Sequence, residues 1–237
     1  MNISFYTASV GAQQQQDRLD VHGNNIANIN TAGFRAKQPS FHQLMTGPVR
    51  GIEEDLARGY GSRMEDAQTD FRQSALRGTD RPLDYAISGK GFFMLQDPRT
   101  GEISYTRDGS FTKSQFFENG EEHWYLSDGV GRFVLGKERQ RIEVEDERSS
   151  LEQVIGVFDF VNHDGMLSMG DNRLMPVAKN GQVGSGEGTL SQGYLEMSNA
   201  DLANELTKVI ESQRSFQFML RMVTASDEIE STVNSLR

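Results

Sequence analysis

The sequence contains no cysteine among its 237 residues. Disulfide bonds, thiolate nucleophiles and cysteine-based metal sites are therefore excluded. It also lacks an excess of basic residues, because 24 lysines and arginines face 34 aspartates and glutamates, which gives a formal net charge of −10. Nucleic-acid-binding proteins usually carry a basic patch, and an acidic surface is repelled by anionic membranes. The charge balance therefore indicates neither nucleic acid nor an anionic membrane as a partner.

Long hydrophobic runs are missing as well. No stretch approaches the roughly 20 apolar residues that a membrane-spanning helix requires, so no membrane insertion is predicted. Residues 1–20 lack a positively charged segment followed by an apolar one, which is the pattern of a secretory signal peptide. The sequence thus predicts either a cytoplasmic protein or one that is exported without a cleaved signal.

Catalytic and metal-binding patterns are also lacking. The histidines His22, His42, His123 and His163 are scattered, and neither an HExxH pattern nor a histidine pair at a spacing of four accompanies them. The glycines around Lys90 are too few for a phosphate-binding loop, and two phenylalanines follow them instead of a helix start. We therefore predict that the protein is not an enzyme and has no catalytic residues, no cofactor and no metal.

The two ends of the sequence show helical periodicity. In residues 1–30, apolar side chains recur at roughly helical spacing without an intervening proline, and Gly33 suits the left-handed conformation that ends a helix. Residues 199–237 contain neither glycine nor proline. Asn199 or Ser198 is predicted to cap a long helix there, with Asp201 at the positive end of its dipole.

The apolar residues of the C-terminal helix are predicted to form one narrow stripe, as in the seam of a coiled coil. Leu202, Leu206, Val209, Phe216, Leu220 and Val223 follow one another in steps of three, four or seven residues, and Ile229, Val233 and Leu236 continue the pattern. Such a stripe has to be buried against another surface. The pattern therefore indicates a packing or binding surface along the whole helix.

Between the helices, short apolar runs alternate with turns in residues 80–195. Five turn dipeptides occur there, namely Asp108-Gly109, Asn119-Gly120, Asp128-Gly129, Asp164-Gly165 and Asn180-Gly181. Strands joined by such turns are typical of a compact antiparallel β-domain. Residues 34–80 fit neither pattern and are interpreted as an extended, mobile connector.

This layout predicts an α+β protein in which the N- and C-terminal helices pair as a coiled-coil-like core around a central, mainly-β domain. The predicted bounds are 1–33 for the N-terminal helix, 34–79 for the connector, 80–197 for the β-domain and 198–237 for the C-terminal helix. Two helices alone leave much of their apolar surface exposed, and such surfaces mark interaction sites. We therefore expect self-assembly or partner binding through the helices.

Asparagine is unusually frequent near the end of the first helix. Asn24, Asn25 and Asn28 lie within five residues of one another, although asparagine is unfavourable inside helices because its amide competes for backbone groups. A fraying helix end explains one or two of them. We favour the alternative that their amides fix the packing register against a neighbour, as a buried asparagine does in coiled coils.

Five segments resemble the signatures of the flagellar rod, hook and hook-associated axial proteins, in the same order along the chain. They are residues 19–35 (LDVHGNNIANINTAGFR), 82–93 (PLDYAISGKGFF), 105–111 (YTRDGSF), 192–201 (QGYLEMSNAD) and 210–216 (IESQRSF). Each motif is modest alone, whereas their common order and spacing are specific.

The resemblance implies a flagellar basal-body rod protein with one β-domain, of the proximal (FlgF-like) rather than the distal (FlgG-like) type. It implies a structural subunit of the helical drive shaft that transmits torque in the cell envelope. The implied partners are further copies, other axial proteins and the flagellar type III export apparatus. A secreted adhesin or carbohydrate-binding β-module with coiled-coil ends is the alternative, although Trp124 is the only tryptophan available for an aromatic platform.

Both terminal helices are expected to contribute to assembly. Besides the nine stripe residues, the predicted interface contains Leu19, Asn24, Asn25, Ile26, Asn28 and Phe34. Ordering the backbone costs about 1–2 kcal/mol per residue, which a solvated helix recovers only by burying apolar surface at about 25 cal/mol per Å². We therefore expect the helices to fold on assembly and the β-domain to fold alone, with residues 1–30 needed for export as well.

Overall fold

A computed structural model describes residues 3–43, 46–48, 57–59, 62–118, 121–146 and 150–236. The chain divides into two compact units. The helical unit consists of Met1–Ala27, Lys37–Gln68 and Asp201–Arg237. The β-unit consists of Asn28–Ala36 and Thr69–Ala200.

Two long helices dominate the helical unit. Helix α1 (Ile3–Ala27) packs against helix α2 (Leu202–Ser235). The unit also contains two strand pairs, in which β1 (Lys37–Gln43) pairs with β4 (Ser62–Thr69), and β2 (Thr46–Pro48) pairs with β3 (Ala57–Gly59). The predicted pairing of the terminal helices is confirmed, and the described part of the predicted connector contains regular strands.

Helix α1 ends at Ala27, six residues before the Gly33 at which the sequence predicts its end. After Ala27 the chain turns, and the Thr31 N–H donates a hydrogen bond of 3.2 Å to the carbonyl of Asn28. Gly33 then adopts a φ of 65°, the left-handed conformation that glycine tolerates best.

Helix α2 begins differently from the prediction. Its N-cap is Asp201, whose carboxylate accepts a hydrogen bond of 3.0 Å from the Ala203 N–H. The expectation that Asn199 or Ser198 caps the helix was wrong. Sequence rules allow all three residues as caps, and the side chain of Asn199 is engaged by the backbone of the β-unit instead.

The described part of the β-unit contains thirteen strands and a short 3-10 helix (Ala178–Asn180). In chain order the strands are β5 (Leu76–Gly78), β6 (Tyr85–Ser88), β7 (Phe93–Gln96), β8 (Ile103–Thr106), β9 (Thr112–Glu118), β10 (Glu121–Ser127), β11 (Phe133–Val134), β12 (Phe158–Phe160), β13 (Leu167–Gly170), β14 (Arg173–Met175), β15 (Val183–Ser185), β16 (Thr189–Gln192) and β17 (Tyr194–Glu196). Seven of them form one sheet in the order β13-β14-β8-β7-β11-β10-β9. The others pair as β12 with β15, β16 with β6 and β17 with β5. The α+β class is therefore confirmed.

Strand β7 lies at the centre of the seven-stranded sheet and is buried on both faces. Because side chains alternate between the faces of a strand, Phe93 and Leu95 enter one apolar cluster while Met94 enters a second one with Phe92. Phe111 packs edge-to-face on Phe93 at a centroid distance of 5.0 Å. The core of the β-unit is thus formed by both sides of its main sheet.

The β-unit extends beyond the predicted bounds of 80–197. The Gly33 N–H donates to the carbonyl of Glu196 at 2.7 Å, and the Asp70 N–H donates to the carbonyl of Ala36 at 2.9 Å. Strand β5, which precedes residue 80, pairs with β17. Residues 28–36 and 69–79 therefore belong to the β-unit, because their backbone groups bond within it.

Candidate assembly interface

The seam between α1 and α2 consists mainly of small and polar side chains. Ala8, Ala12, His22 and Asn25 of α1 are buried. A β-carbon at Gly11 would lie 3.2 Å from the sulfur of Met219, so the helices approach closely there. On α2 seven of the buried and half-buried residues follow a heptad spacing, and we call this set the heptad seam: Glu205, Val209, Ser212, Phe216, Met219, Val223 and Ser226. Lys208 and Ser215 are half-buried beside it.

The large apolar side chains of α2 lie mostly outside this seam. We define the first apolar line as Leu202, Leu206, Ile210 and Leu220, and the second apolar line as Phe218, Met222, Ile229, Val233 and Leu236. All nine side chains are exposed, from 44% for Leu220 to 82% for Leu236. In α1, Tyr6 is 61% exposed. The helix pair therefore presents apolar surface of the kind that marks an interaction site.

The single stripe predicted from the sequence divides into three sets. Val209, Phe216 and Val223 belong to the heptad seam, whereas Leu202, Leu206 and Leu220 belong to the first line, and Ile229, Val233 and Leu236 to the second. The sequence prediction omitted Ile210, Phe218 and Met222, whose helical spacing relative to Leu206 and Ile229 is the signal that identifies them.

The remaining residues of the predicted interface lie on α1 and after it. Leu19, Ile26 and Asn28 are half-buried, and Asn24 is exposed. Asn25 is fully buried, and Phe34 is 8% exposed within the β-unit. Burial within the chain already accounts for Asn25 and Phe34, while a role of the others in assembly stays a prediction.

A buried polar cluster fixes the register of α1 against α2 and β1. The Asn25 amide donates to the carbonyl of Lys37 at 2.8 Å, and its oxygen accepts from the Lys37 N–H at 2.9 Å. The same amide group lies 3.2 Å from a carboxylate oxygen of Glu205, and His22 Nδ1 lies 2.6 Å from that oxygen. One of the three asparagines thus acts on packing register as predicted, but within its own chain.

Replacement of Glu205 by alanine is expected to destabilise the helical unit by about 1–3 kcal/mol, because buried hydrogen-bonding groups lose their partner. Glu211→Ala is the matched control, since Glu211 is exposed on the same helix. The helical signal of assembled protein during denaturant unfolding measures the effect. Equal unfolding midpoints for the two variants would contradict the role of the cluster.

A second buried cluster lies in the β-unit, around Glu196. Its carboxylate accepts hydrogen bonds or ion pairs from Arg35 Nη1 at 2.8 Å, from Arg107 Nη1 at 3.0 Å and from the Ser74 N–H at 2.9 Å. The side chain of Glu196 is completely buried, and those of Arg35 and Arg107 are 4% and 6% exposed. Arg107 also donates to the carbonyls of Ile87 and Gly89.

Burial lowers the pKa of the Arg107 guanidinium, and the charge of Glu196 acts in the opposite direction. Two buried cations share one buried carboxylate, so removal of that carboxylate leaves both without their charge partner. Three of the sequence motifs, in residues 19–35, 105–111 and 192–201, meet at this cluster. Their shared role is therefore structural, since they hold distant parts of the β-unit together.

Gly33 and Asn199 complete the junction of these motifs. At Gly33 a β-carbon would lie 2.4 Å from the backbone of Arg107, so this position accepts only glycine without displacement of the main chain. The Asn199 side chain accepts from the Ala36 N–H at 2.6 Å and donates to the carbonyl of Asp70 at 2.8 Å. The N- and C-terminal motifs thus bond through the backbone as well as through charges.

The described part of the chain contains neither a group of side chains suited to a metal ion nor a helix suited to span a membrane. Among the residues of known position, no three histidine, aspartate or glutamate side chains are grouped so that they could bind a metal ion. None of the helices placed by the structure has both the length and the apolarity of a membrane span.

Sequence models of three protein families match separate parts of the chain. The model described as "Flagella basal body rod protein" matches residues 5–35. The model described as "Flagellar hook protein FlgE/F/G D1 domain" matches residues 86–151, and "Flagellar basal body rod FlgEFG protein C-terminal" matches residues 191–236.

Curated relatives resemble the chain over its whole length. The flagellar basal-body rod protein FlgG of Bacillus subtilis is 31% identical over 99% of this chain and 98% of its own. FlgG of Buchnera aphidicola subsp. Schizaphis graminum is 30% identical over 98% and 99% of the two chains. The flagellar hook-basal body complex protein FlhP of Bacillus subtilis is 28% identical over 99% of both.

Proposed function

The chain belongs to the family of flagellar basal-body rod proteins, and we propose that it is a structural subunit of the rod, located in the flagellar basal body of the cell envelope. The observation that supports this role most directly is the exposed apolar surface of α2. Nine large apolar residues outside the heptad seam are 44–82% exposed, which suits a subunit completed by its neighbours. Further copies and other axial proteins are the partners that this surface would contact.

We favour the distal type over the proximal type expected from the sequence. The rod-protein relatives reported above carry the name FlgG, the name of the distal type. Their similarity spans both helices and the β-unit, because it covers 98–99% of the chain.

We propose a structural rather than a catalytic role for the sequence motifs of the chain. The charged clusters around Glu196 and Glu205 are buried and bonded to other parts of the chain. Buried groups of this kind stabilise one arrangement and have no access to a substrate. Export through the flagellar type III apparatus, with residues 1–30 required, remains part of the proposal.

The carbohydrate-binding alternative receives no support. Lys113 Nζ lies 4.9 Å from the centre of the Trp124 ring. This cation–π contact covers a face of the only tryptophan in the chain, the residue on which an aromatic platform would depend.

Purified protein at high concentration is expected to form filaments or tubes, and Leu206→Asp is expected to abolish them. The substitution places a charge in the first apolar line, where a neighbour would have to bury it at a cost of several kcal/mol. Electron microscopy and sedimentation measure assembly. Thr207→Asp is the control, because it adds the same charge at an exposed polar position.

Two results would contradict the proposed function. One is a wild-type protein that stays monomeric under all assembly conditions. The other is a Leu206→Asp variant that assembles as readily as Thr207→Asp, since the exposed apolar surface would then be dispensable.

A further inference from the structure

Strand β15 has one edge that is not covered by another strand. On its other edge it pairs with β12, where Phe158 lies opposite Ser185. Phe158 exchanges both of its backbone hydrogen bonds with Phe92 instead of Ser185. Because the direction of backbone groups alternates along an antiparallel pair, Val183 and Ser185 both direct their N–H and C=O groups away from β12. These four groups have no partner in the described part of the chain.

The free edge of β15 lines a cleft of about 630 Å³, which we call the β15 cleft. Its volume lies within the range of roughly 300–1,000 Å³ that is usual for ligand sites. Strand β16, which also lines the cleft, follows β15 after only three residues but pairs with β6 and not with β15. Ile155, Val157 and Leu190 form apolar parts of the wall. The cleft therefore offers backbone groups and apolar surface together, which are the features that bind an extended peptide.

Gly184, in the middle of β15, is a glycine that the fold does not require. Its φ lies outside the left-handed region, and a β-carbon there would meet only the carbonyl oxygen of Asp159, at 4.0 Å. The next glycine differs, since a β-carbon at Gly186 would lie 2.8 Å from the side chain of Val157. Glycine within a strand marks positions where a ligand or another backbone approaches closely. At Gly184 no described residue makes that approach, so the position is open to a partner.

The charges that line the β15 cleft favour an acidic occupant. Lys137 and Arg139 line it with exposed side chains, and neither has an ion-pair partner among the residues of known position. Glu152, the acid in the lining, already accepts a hydrogen bond of 3.0 Å from the Gln192 N–H. The lining is thus net positive in a chain whose formal net charge is −10. Charge complementarity of this kind selects the partner.

We propose that the β15 cleft binds an extended, acidic peptide segment of another protein, which adds as a strand to the free edge of β15. The peptide backbone exchanges hydrogen bonds with Val183 and Ser185, its apolar side chains pack around Leu190, and a carboxylate pairs with Lys137 or Arg139. Because side chains alternate between the faces of a strand, acidic and apolar residues alternate in such a segment. The inference goes beyond the role as a rod subunit, since it assigns a partner to the β-unit and leaves the apolar lines of α2 to neighbouring copies.

Residue-resolved hydrogen exchange with a synthetic peptide tests the pairing. The probe is the blocked hexapeptide acetyl-Val-Glu-Val-Glu-Val-Thr-amide, added in excess to the full-length chain at concentrations where it is monomeric. Exchange of the Val183 and Ser185 amides is expected to slow by about tenfold or more, because N–H groups that gain a partner become protected. The Gly184 amide is the internal control and should change little, since its N–H already points towards β12.

A swap of charge tests the chemistry of the partner. Lys137→Glu is expected to weaken binding of the glutamate peptide by about five- to tenfold, because an attraction becomes a repulsion, and to strengthen binding of the same peptide with lysine in place of glutamate. Lys179→Glu is the matched control, because Lys179 is exposed in the same unit and does not line the cleft. A fully N-methylated glutamate peptide should not bind, since it has no N–H groups to donate. Titration calorimetry measures all three.

The outcomes separate this inference from the proposed function. If the Val183 and Ser185 amides exchange as before, or if Lys137→Glu and Lys179→Glu bind both peptides alike, the β15 cleft is not a peptide site, and filament formation is unaffected by that result. If Lys137→Glu abolishes filaments while Lys179→Glu does not, the occupant is a second copy of this chain and the separate partner is overturned. If the wild type binds the peptide but forms no filaments, the proposed function fails and this inference stands.

Discussion

Replacement of Glu196 by glutamine is expected to lower the free energy of unfolding of the β-unit by about 3–5 kcal/mol, as is typical when one partner of a buried ion pair is removed. The carboxylate is fully buried between Arg35 and Arg107. Glutamine keeps the shape of the side chain, but it leaves two buried cations without a counter-charge. The decrease in the free energy of unfolding therefore reports the missing charge and not a change in packing.

Glu102→Gln is the control for this experiment, since Glu102 is exposed in the same unit. Denaturant unfolding followed by tryptophan fluorescence measures both variants, because Trp124 lies in the β-unit. A variant in which Arg35, Arg107 and Glu196 are all replaced by methionine should recover part of the loss, because no buried charge remains. Equal stabilities of Glu196→Gln and Glu102→Gln would refute the role of the cluster.

Replacement of Gly33 by alanine is expected to destabilise the β-unit by about 3 kcal/mol or more. A left-handed backbone costs a residue with a β-carbon about 1–2 kcal/mol, and the forced contact with the Arg107 backbone adds an overpacking cost of about 1–3 kcal/mol. The φ of 65° and the distance of 2.4 Å to the carbonyl carbon of Arg107 make both costs unavoidable.

Gly101→Ala separates the two contributions. Gly101 has a φ of 72°, but a β-carbon there would meet no atom within 4 Å. This variant should therefore show the backbone cost alone, and the difference between the two unfolding free energies gives the cost of the close approach. If both variants lose the same stability, the chain around Arg107 yields without strain, and the tight junction proposed for Gly33 is wrong.

The positions of the helices along the chain could be predicted from the sequence. Which residues of α2 face α1 and which are exposed could not. The sequence predicted the position of α2 almost to its ends, because its apolar residues are periodic and it contains neither glycine nor proline. The same periodicity joined Leu206, Phe216 and Ile229 into one stripe, although the structure places them in the first line, the heptad seam and the second line. Spacing indicates which residues share a side over a few turns, but not which side meets the partner helix.

The clusters around Glu196 and Glu205 were beyond prediction for a different reason. Arg35, Arg107 and Glu196 each lie inside a recognised motif, yet a motif does not indicate that its charge pairs with that of another motif far away in the chain. His22 was treated as a scattered histidine, because its partner Glu205 lies 183 residues away. Asn25 was the exception, since its presence in a helix was already unfavourable enough to suggest a buried amide.

The same long-range contacts alter the expectation that the β-domain folds alone. Residues 28–36 and 69–79 lie outside the predicted 80–195 but bond within the β-unit, through Arg35, Ser74 and strand β5. A fragment limited to residues 80–197 would lack one cation of the buried cluster and one strand of a pair. Residues 28–200 contain the whole β-unit, together with Lys37–Gln68 of the helical unit.

The bond between Ala36 and Asn199 spans 163 residues of the chain, and this separation has a kinetic consequence. Contacts between distant residues contribute nothing until the intervening chain has been closed into a loop, which makes their formation slow. A chain that emerges with its N-terminus first therefore carries Arg35 and Arg107 into the new compartment well before their shared carboxylate arrives. Until Glu196 follows, Arg35 and Arg107 stay solvated, because burying them without a counter-charge is unfavourable, so under the proposed export the β-unit would stay open for the greater part of the passage.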